Sequence, residues 1–193
     1  ISSMRGRSRS TIGPPFILTE SGCSGFGRMM VNAGRGMSCG AELSVRWSPA
    51  EALALTANYG FTHAVFKEYD GGISGNVKID YSDNYVPFVP KHTANIDAAY
   101  TLRFNRGMLQ ALTIGANYTG AGKIYWNESN TASQGYYSLL GARMTCATKY
   151  VDVSLWAKNI ADTKYNTFYF ESIGRSFEQH GKPFQLGIDL RMH

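Results

Sequence analysis

The chain has 193 residues, enough for one domain, and a hydrophobic fraction of 44% that is ordinary for a folded protein. Charged residues make up only 17%, below the roughly 25% typical of soluble domains. The net charge of +5 owes much to Arg5, Arg7 and Arg9, and no basic face carries stacking aromatics, which argues against a nucleic-acid partner. The three Cys and four His lack metal-ligand or disulfide spacing, so we predict no metal site and no cofactor.

The first predicted element is an irregular segment over residues 1–24. It is basic, rich in Ser and contains Pro14-Pro15, and it shows no alternation of apolar and polar residues. A genuine loop, an error in the gene model and translation out of frame all fit it, and its composition slightly favours an artefact. No apolar run is long enough for a signal peptide or a spanning helix, and the chain starts at Ile1, so we expect further sequence upstream.

Residues 25–193 are predicted to be all-β, with strands from about residue 28. Successive side chains of a strand point to opposite faces. In the first clear strand, residues 41–47, Ala41, Leu43, Val45 and Trp47 oppose polar Glu42, Ser44 and Arg46. The same alternation starts again near six later residues, namely Leu53, Ala94, Leu112, Leu140, Val151 and Phe184. The pattern predicts about seven antiparallel up-and-down strands.

The connections between these strands alternate in length. Tight turns at residues 48–51, 105–107 and 148–150 alternate with long loops at 67–90, 125–135 and 161–181. Outer-membrane barrels have short periplasmic turns and longer extracellular loops. Seven is an odd number, and an open sheet is not viable in hydrocarbon. We therefore expect about seven C-terminal strands of a larger transmembrane β-barrel.

Four short motifs follow one another in an order and spacing that is fairly specific. Their residues are Gly40, Glu42 and Pro49 in the first strand and turn; Pro87, Pro90 and His92 before a later strand; Asn159, Asp162 and Tyr165 after the penultimate strand; and Gly181 and Pro183 before the last. With these motifs, residues 25–193 resemble TonB-dependent outer-membrane receptors. Family members usually end in a lipid-facing aromatic residue, whereas this row ends at Met192 before His193.

The resemblance implies a barrel of about 22 strands in the bacterial outer membrane, plugged by a separate N-terminal domain. Such receptors take up a scarce ligand such as a ferric siderophore, haem or cobalamin, driven by the TonB complex acting through the plug. Neither the plug nor a TonB box is found in these residues. We therefore expect this chain to be the C-terminal barrel fragment of a receptor, with lipid, the missing strands and plug, and a small ligand as its partners.

The candidate ligand contacts are aromatic residues of the long loops and the inner wall. Aromatic side chains give a large contact area at a small entropic cost. The candidates are Tyr69, Tyr81, Tyr85, Trp126, Tyr136 and Tyr169. For any one of them, packing within a loop or an interfacial girdle is the stronger expectation, and the ligand's identity does not follow from the sequence.

Two other functions compete with uptake. A small self-standing outer-membrane barrel with a structural or adhesive role would need an eighth strand from residues 10–24. A hydrolase would need a catalytic set such as Ser82, Asp83 and His92, but loops contain these residue types by chance. We expect the protein not to be an enzyme.

Overall fold

Every regular element in the described part of the chain is a β-strand. The computed structural model describes residues 2–8, 16–19, 27–30, 35–74, 77–104, 107–172 and 175–193. Its strands are β1 (Ser2–Ser8), β2 (Phe16–Thr19), β3 (Gly27–Met30), β4 (Arg35–Ala50), β5 (Leu53–Glu68), β6 (Asp70–Ser74), β7 (Val77–Asp80), β8 (His92–Arg103), β9 (Leu109–Ala121), β10 (Ile124–Tyr125), β11 (Ser133–Gln134), β12 (Tyr137–Thr148), β13 (Val151–Lys158), β14 (Asn166–Ser172), β15 (Arg175–His180) and β16 (Gln185–Met192). A search of these residues for a helix long and apolar enough to cross a bilayer finds none.

Eight of these strands pair antiparallel into one sheet, in the order β1-β4-β5-β8-β9-β12-β13-β16. The other eight form four two-stranded hairpins, each set within a connection between sheet strands. The predicted all-β, up-and-down architecture is confirmed. Among the described residues β1 pairs only with β4, and β16 only with β13, so the sheet is open and not a closed barrel.

The register of the sheet places the predicted apolar rows side by side on one face. One row of direct partners crosses six strands through Leu53, Tyr100, Ile114, Met144, Leu155 and Ile188. These side chains are not covered by protein: Ile114 is 50% exposed and Ile188 is 66% exposed. Contiguous apolar surface of this extent is rare on soluble monomers and marks contact with a membrane or a partner.

The opposite face is polar and internally bonded. The hydroxyls of Thr101 and Thr113 lie 3.1 Å apart, and those of Thr145 and Ser154 lie 2.8 Å apart. Across β12 and β16, Arg143 Nη1 lies 3.3 Å from Asp189 Oδ2. The two faces therefore differ in chemistry as the alternation predicts.

The connections alternate in length as predicted, and the structure adds one more long connection, between β1 and β4. The short β4–β5, β8–β9 and β12–β13 links lie at one end of the sheet, and the long connections with their hairpins lie at the other, called here the outer end. The link from β1 to β4 also contains a hairpin, β2–β3, and reaches β4 at the outer end, since Ser8 pairs with Ser38.

The N-terminal segment differs from the irregular segment that we expected over residues 1–24. Ser2–Ser8 is a strand paired with β4, and Phe16–Thr19 is a strand paired with Gly27–Met30. The free edge of β4 presents backbone donors and acceptors, and a neighbouring strand satisfies them whatever its side chains are. The rest of residues 1–24 lies outside the described residues, and their origin as an artefact stays a prediction. Among the described residues, the eighth strand of the sheet is Ser2–Ser8.

The packed core lies at the outer end and not in the wall. The buried hydrophobic residues of the described part are Ala64, Val65, Phe66, Tyr69, Ile124 and Trp126. All of them belong to the upper part of β5 or to the long connections. The outer loops are therefore a folded structure supported by the sheet.

Candidate ligand-binding region

The first two long loops are joined by side chains that bond to backbone. Asn130 Oδ1 accepts a hydrogen bond from the Tyr85 N–H at 2.8 Å, and Asn130 Nδ2 donates to the Tyr85 carbonyl at 2.9 Å. Asn84 Nδ2 donates to the Glu128 carbonyl at 2.8 Å. The Phe88 N–H adds a direct bond to the Tyr125 carbonyl at 2.8 Å. These bonds hold residues 84–88 against residues 125–130.

The third long loop contacts the other two. The Asn166 N–H donates to Gln134 Oε1 at 2.6 Å, and the rings of Phe88 and Phe168 stack 5.8 Å apart. Asn166 and Phe168 both belong to β14, so these contacts attach the β14–β15 hairpin to the other two loops. The outer end therefore has one continuous group of loops.

The motif residues after β13 form a compact hydrogen-bonded unit. The buried Asn159 side chain donates to the carbonyls of Thr163 and Lys182, each at 3.0 Å, and accepts from the Thr163 N–H at 2.9 Å. Asp162 Oδ1 accepts from the Phe184 N–H at 2.9 Å. The Asn159–Lys182 and Asp162–Phe184 bonds reach across to the segment that enters β16, so they close the base of the third loop.

Tyr165 and Gly181 complete this unit. The Tyr165 ring stacks on Tyr137 at 4.6 Å, and the Gly181 N–H donates to the Tyr165 carbonyl at 2.7 Å. A Cβ atom at Gly181 would collide with the Tyr165 ring. The close approach of the Tyr165 ring thus favours glycine at position 181. Pro183 lies two residues before the start of β16.

The remaining motif residues also shape the backbone. A Cβ at Gly40 would lie 2.6 Å from the Phe61 carbonyl oxygen, and Pro49 lies where the β4–β5 register shifts, between Trp47 and Ala50. Proline has no N–H and suits such an irregularity. Pro87 and Pro90 lie on either side of Phe88, whose φ is 64°. His92 Nδ1 lies 2.7 Å from the Tyr59 hydroxyl oxygen, within hydrogen-bond distance. Glu42 lies on the polar face opposite Gly60.

The six aromatic candidates fall into different surroundings. Tyr69 is 3% exposed and packs on Tyr81 and Phe66, while Trp126 is 8% exposed and packs edge-on against Phe88. Three candidates remain at the surface of the loops: Tyr85 stacks on Tyr125, Tyr136 bonds Tyr118 on the apolar face, and Tyr169 bonds Glu171 in the β14–β15 hairpin. Ligand contact by any of the six stays a prediction. Tyr69 and Trp126 are buried, so packing within the loops accounts for these two.

The electrostatics of Tyr69 agree with a packing role. Burial, aided by the neighbouring Glu128 and Tyr81, raises the pKa of Tyr69 to about 12. Its hydroxyl is buried and has no hydrogen-bond partner among the described residues. Tyr69 therefore stays neutral at every physiological pH and supplies apolar area to the cluster.

A cleft that the sequence did not reveal lies on the polar face below the third loop. Its volume is about 240 Å³, and it is lined by Asn117, Lys158 and Gln185, with Tyr165 above. Tyr165 also borders a second cleft of about 500 Å³ next to Gln134 and His180. Ligand sites commonly occupy roughly 300–1,000 Å³, a range that the second cleft reaches and the first does not. The alternation of apolar and polar residues predicts that Asn117, Lys158 and Gln185 lie on the polar face. Their proximity depends on how β9, β12, β13 and β16 pair, which the alternation does not give.

Comparison with known proteins identifies the family. The family described as TonB dependent receptor-like, beta-barrel matches residues 15–160, more than half of the chain. The chain belongs to this family. The TonB-dependent resemblance inferred from the motifs is therefore confirmed.

Relatives within the TonB-dependent receptors are distant in sequence and close in fold. The pesticin receptor of Yersinia pestis is 25% identical over 162 residues, which cover 83% of this chain and 22% of that protein. The ferric yersiniabactin uptake receptor from Yersinia pestis has a TM-score of 0.72 at 24% identity, covering 85% of this chain and 24% of that one. A siderophore receptor from Acinetobacter baumannii has a TM-score of 0.66 at 19% identity, covering 97% and 24%. The chain thus spans about a quarter of the length of the relatives that it matches.

Proposed function

We propose that this chain forms wall and outer loops of a TonB-dependent receptor that takes up a ferric siderophore across the bacterial outer membrane. The observation that carries the proposal is the apolar row that crosses six strands without interruption, from Leu53 to Ile188. Lipid against this face removes the cost of exposing it to water, about 25 cal/mol per Å². The polar face then lines the lumen, and the outer end faces the cell exterior.

The names of the relatives support a siderophore as the ligand. The two similar structures described above are named as a ferric yersiniabactin uptake receptor and a siderophore receptor. Of the three ligand classes that the sequence left open, these names support the ferric siderophores. Such relatives are receptors, which supports transport and not catalysis for this chain. Coupling to TonB would act through a plug domain beyond the matched quarter.

The polar-face cleft offers polar groups that can contact part of a hydrophilic chelate. The Lys158 ammonium and the amides of Asn117 and Gln185 line it, and oxygen atoms of a chelate are their natural partners. Hydrogen bonds to a charged group contribute about 1.5–3 kcal/mol. We expect Lys158→Gln to weaken binding roughly tenfold, whereas Lys149→Gln, in the tight β12–β13 turn, should leave it unchanged. Equal affinities for wild type and Lys158→Gln would remove the cleft from the proposal.

Growth on single iron sources tests the function itself. A strain deleted for the full gene should fail on one or more ferric siderophores, and the gene should restore growth only in a strain that has TonB. Growth on haem as the iron source, and growth on vitamin B12 in a strain that requires it, serve as the comparison arms. A defect confined to haem or cobalamin, or normal growth on every siderophore of the panel, would contradict the proposal.

A further inference from the structure

Three side chains with soft metal-ligand atoms lie together on the outer part of the β4–β5 ribbon. Cys39 of β4 and His63 of β5 are direct antiparallel partners, and Met37 pairs with Val65 two residues further along each strand. Direct partners have Cβ atoms about 4.5–5.5 Å apart, and diagonal neighbours such as Met37 and His63 lie within about 7–8 Å. A thiol, an imidazole and a thioether are therefore within reach of one small ion.

The three side chains are half-buried, and the structure around them is held in place. Cys39 is a free cysteine, and Met37 and His63 share its intermediate burial. The His63 ring meets the Tyr85 ring edge-on, with centres 5.4 Å apart. Tyr85 is itself fixed by Asn130, which bonds both its N–H and its carbonyl. One side of the set is thus bounded by a fixed ring, while the remaining exposure leaves an entry path for an ion.

The other described cysteine shows what is particular about this set. Cys146 also follows a methionine by two residues, Met144, and the two lie on the same side of β12. Its direct partners are Leu112 and Val153, which offer no ligand atom. Of the two cysteines that the structure describes, only Cys39 has a histidine as a direct partner. The register between β4 and β5 therefore creates a ligand set that a Met-x-Cys sequence alone does not.

The chemistry of the ligand atoms selects the metal. Thiolate and thioether sulfur favour soft ions such as Cu(I), and imidazole nitrogen also suits copper, whereas Mg²⁺, Ca²⁺ and Mn²⁺ favour oxygen. Across the described residues, no three His, Cys, Asp or Glu side chains are grouped so that they could hold a metal ion. Zinc sites are built from such side chains. The third ligand here is the Met37 thioether, which favours Cu(I) over zinc.

We propose that Met37, Cys39 and His63 bind a Cu(I) ion at the outer end of the receptor. The Cys39 thiol loses its proton to water as the sulfur–copper bond forms, and His63 and Met37 each supply a lone pair, so no electron is transferred. The prediction of no metal site rested on spacing along the chain, which does not contain the pairing of two strands. Cys39 and His63 lie on the side of Ala41 and Phe61, in the apolar rows. The inference thus goes beyond the proposed function, because this side faces away from the polar-face cleft.

Competition for Cu(I) on the detergent-solubilised full-length receptor tests the site. Copper would be supplied without oxygen as its coloured complex with bicinchoninate, a chelator against which a single thiol competes poorly. We expect the wild type to withdraw one Cu(I) ion more than Cys39→Ser. Met37→Leu and His63→Gln keep the thiol and should each bind at least about tenfold more weakly, since loss of an outer-shell partner alone costs that much. Met144→Leu and Cys146→Ser are the matched controls and should bind copper as the wild type does.

Three results would overturn the site. One is equal copper binding by the wild type and Cys39→Ser. Another is a loss confined to Cys39→Ser, with Met37→Leu and His63→Gln unchanged, which would indicate a lone thiol. The third is binding of Zn(II) in preference to Cu(I) at these residues. Heat-modified mobility in gels would show that each variant forms a folded barrel. Siderophore uptake by the same variants should stay normal, and this separates failure of the copper site from failure of the proposed function.

Discussion

Single asparagine side chains determine much of the order in the outer loops. Asn159 and Asn130 both have left-handed backbone conformations, with φ of 48° and 56°. Asparagine adopts this conformation more readily than other non-glycine residues. Each side chain also bonds backbone groups of a distant segment, Lys182 for Asn159 and Tyr85 for Asn130. Backbone conformation and long-range hydrogen bonds thus select the same residue type at both positions.

Asn159→Ala should destabilise the full-length receptor by about 3 kcal/mol, because it removes three part-buried hydrogen bonds to the backbone of Thr163 and Lys182. Urea unfolding in detergent micelles would measure the loss. Asn58→Ala, on the exposed polar side of β5, is the control and should change stability by less than about 0.5 kcal/mol. Equal effects of the two substitutions would contradict the role assigned to Asn159.

Tyr69→Phe should keep or slightly raise stability at pH 8, because it removes a buried hydroxyl that has no partner. The folded-state pKa of Tyr69 is raised to about 12, whereas an unfolded tyrosine ionises near 10. The wild type therefore loses stability as the pH rises from 10 towards 12, and the Phe variant lacks this contribution. Unfolding midpoints at pH 8 and pH 11 would show the difference widening. A loss of more than about 1 kcal/mol at pH 8 would point instead to a bonded hydroxyl.

At the level of the strand, alternation sets which substitutions the wall tolerates. Ile114 lies on the apolar row of β9, while Thr113 lies on the polar face and bonds Thr101. Ile114→Arg should cost roughly 2–4 kcal/mol if it meets the middle of the bilayer. Thr113→Arg loses one hydroxyl bond and should cost about 1 kcal/mol. Folding titrations of both variants in lipid vesicles would decide, and the reverse order would mean that the two faces are assigned wrongly.

The seven sheet strands other than β1 were predictable because each follows period-two alternation long enough to recognise, as in β8 and β9. The hairpins within the loops were not predicted. β15 is exposed along its whole length and β14 is only seven residues long, so neither needs an alternating pattern. The side chains of the cleft were assigned to the correct face, but their meeting depends on the register between β9, β12, β13 and β16. Register is a long-range property, and a single strand's pattern does not contain it.

For the whole molecule, the alternation of connections fixes the direction of every strand. A single cysteine at Val77, in the β6–β7 hairpin and 68% exposed, should react with an impermeant maleimide on intact cells expressing the full-length receptor. A cysteine at Tyr150, in a tight turn, should react only after the outer membrane is broken. The background lacks Cys23, Cys39 and Cys146. Labelling of position 150 on intact cells, with position 77 protected, would reverse the topology.

β4 and β5 are each 16 residues long, several more than the 9–11 that a tilted strand needs to cross a bilayer. Their register continues from the level of Phe61, where β8 begins, up to the pair of Arg35 and Glu68. At about 3.4 Å per residue, this ribbon stands roughly 20 Å above the last residues that touch lipid. The ribbon leads into the β6–β7 hairpin, where Val77 is 68% exposed, whereas Ala64, Val65 and Phe66 within the ribbon are buried. In the proposed orientation, an antibody would therefore reach this hairpin before the ribbon itself, which makes the hairpin the natural epitope for surface detection or for a vaccine against the cell that carries the receptor.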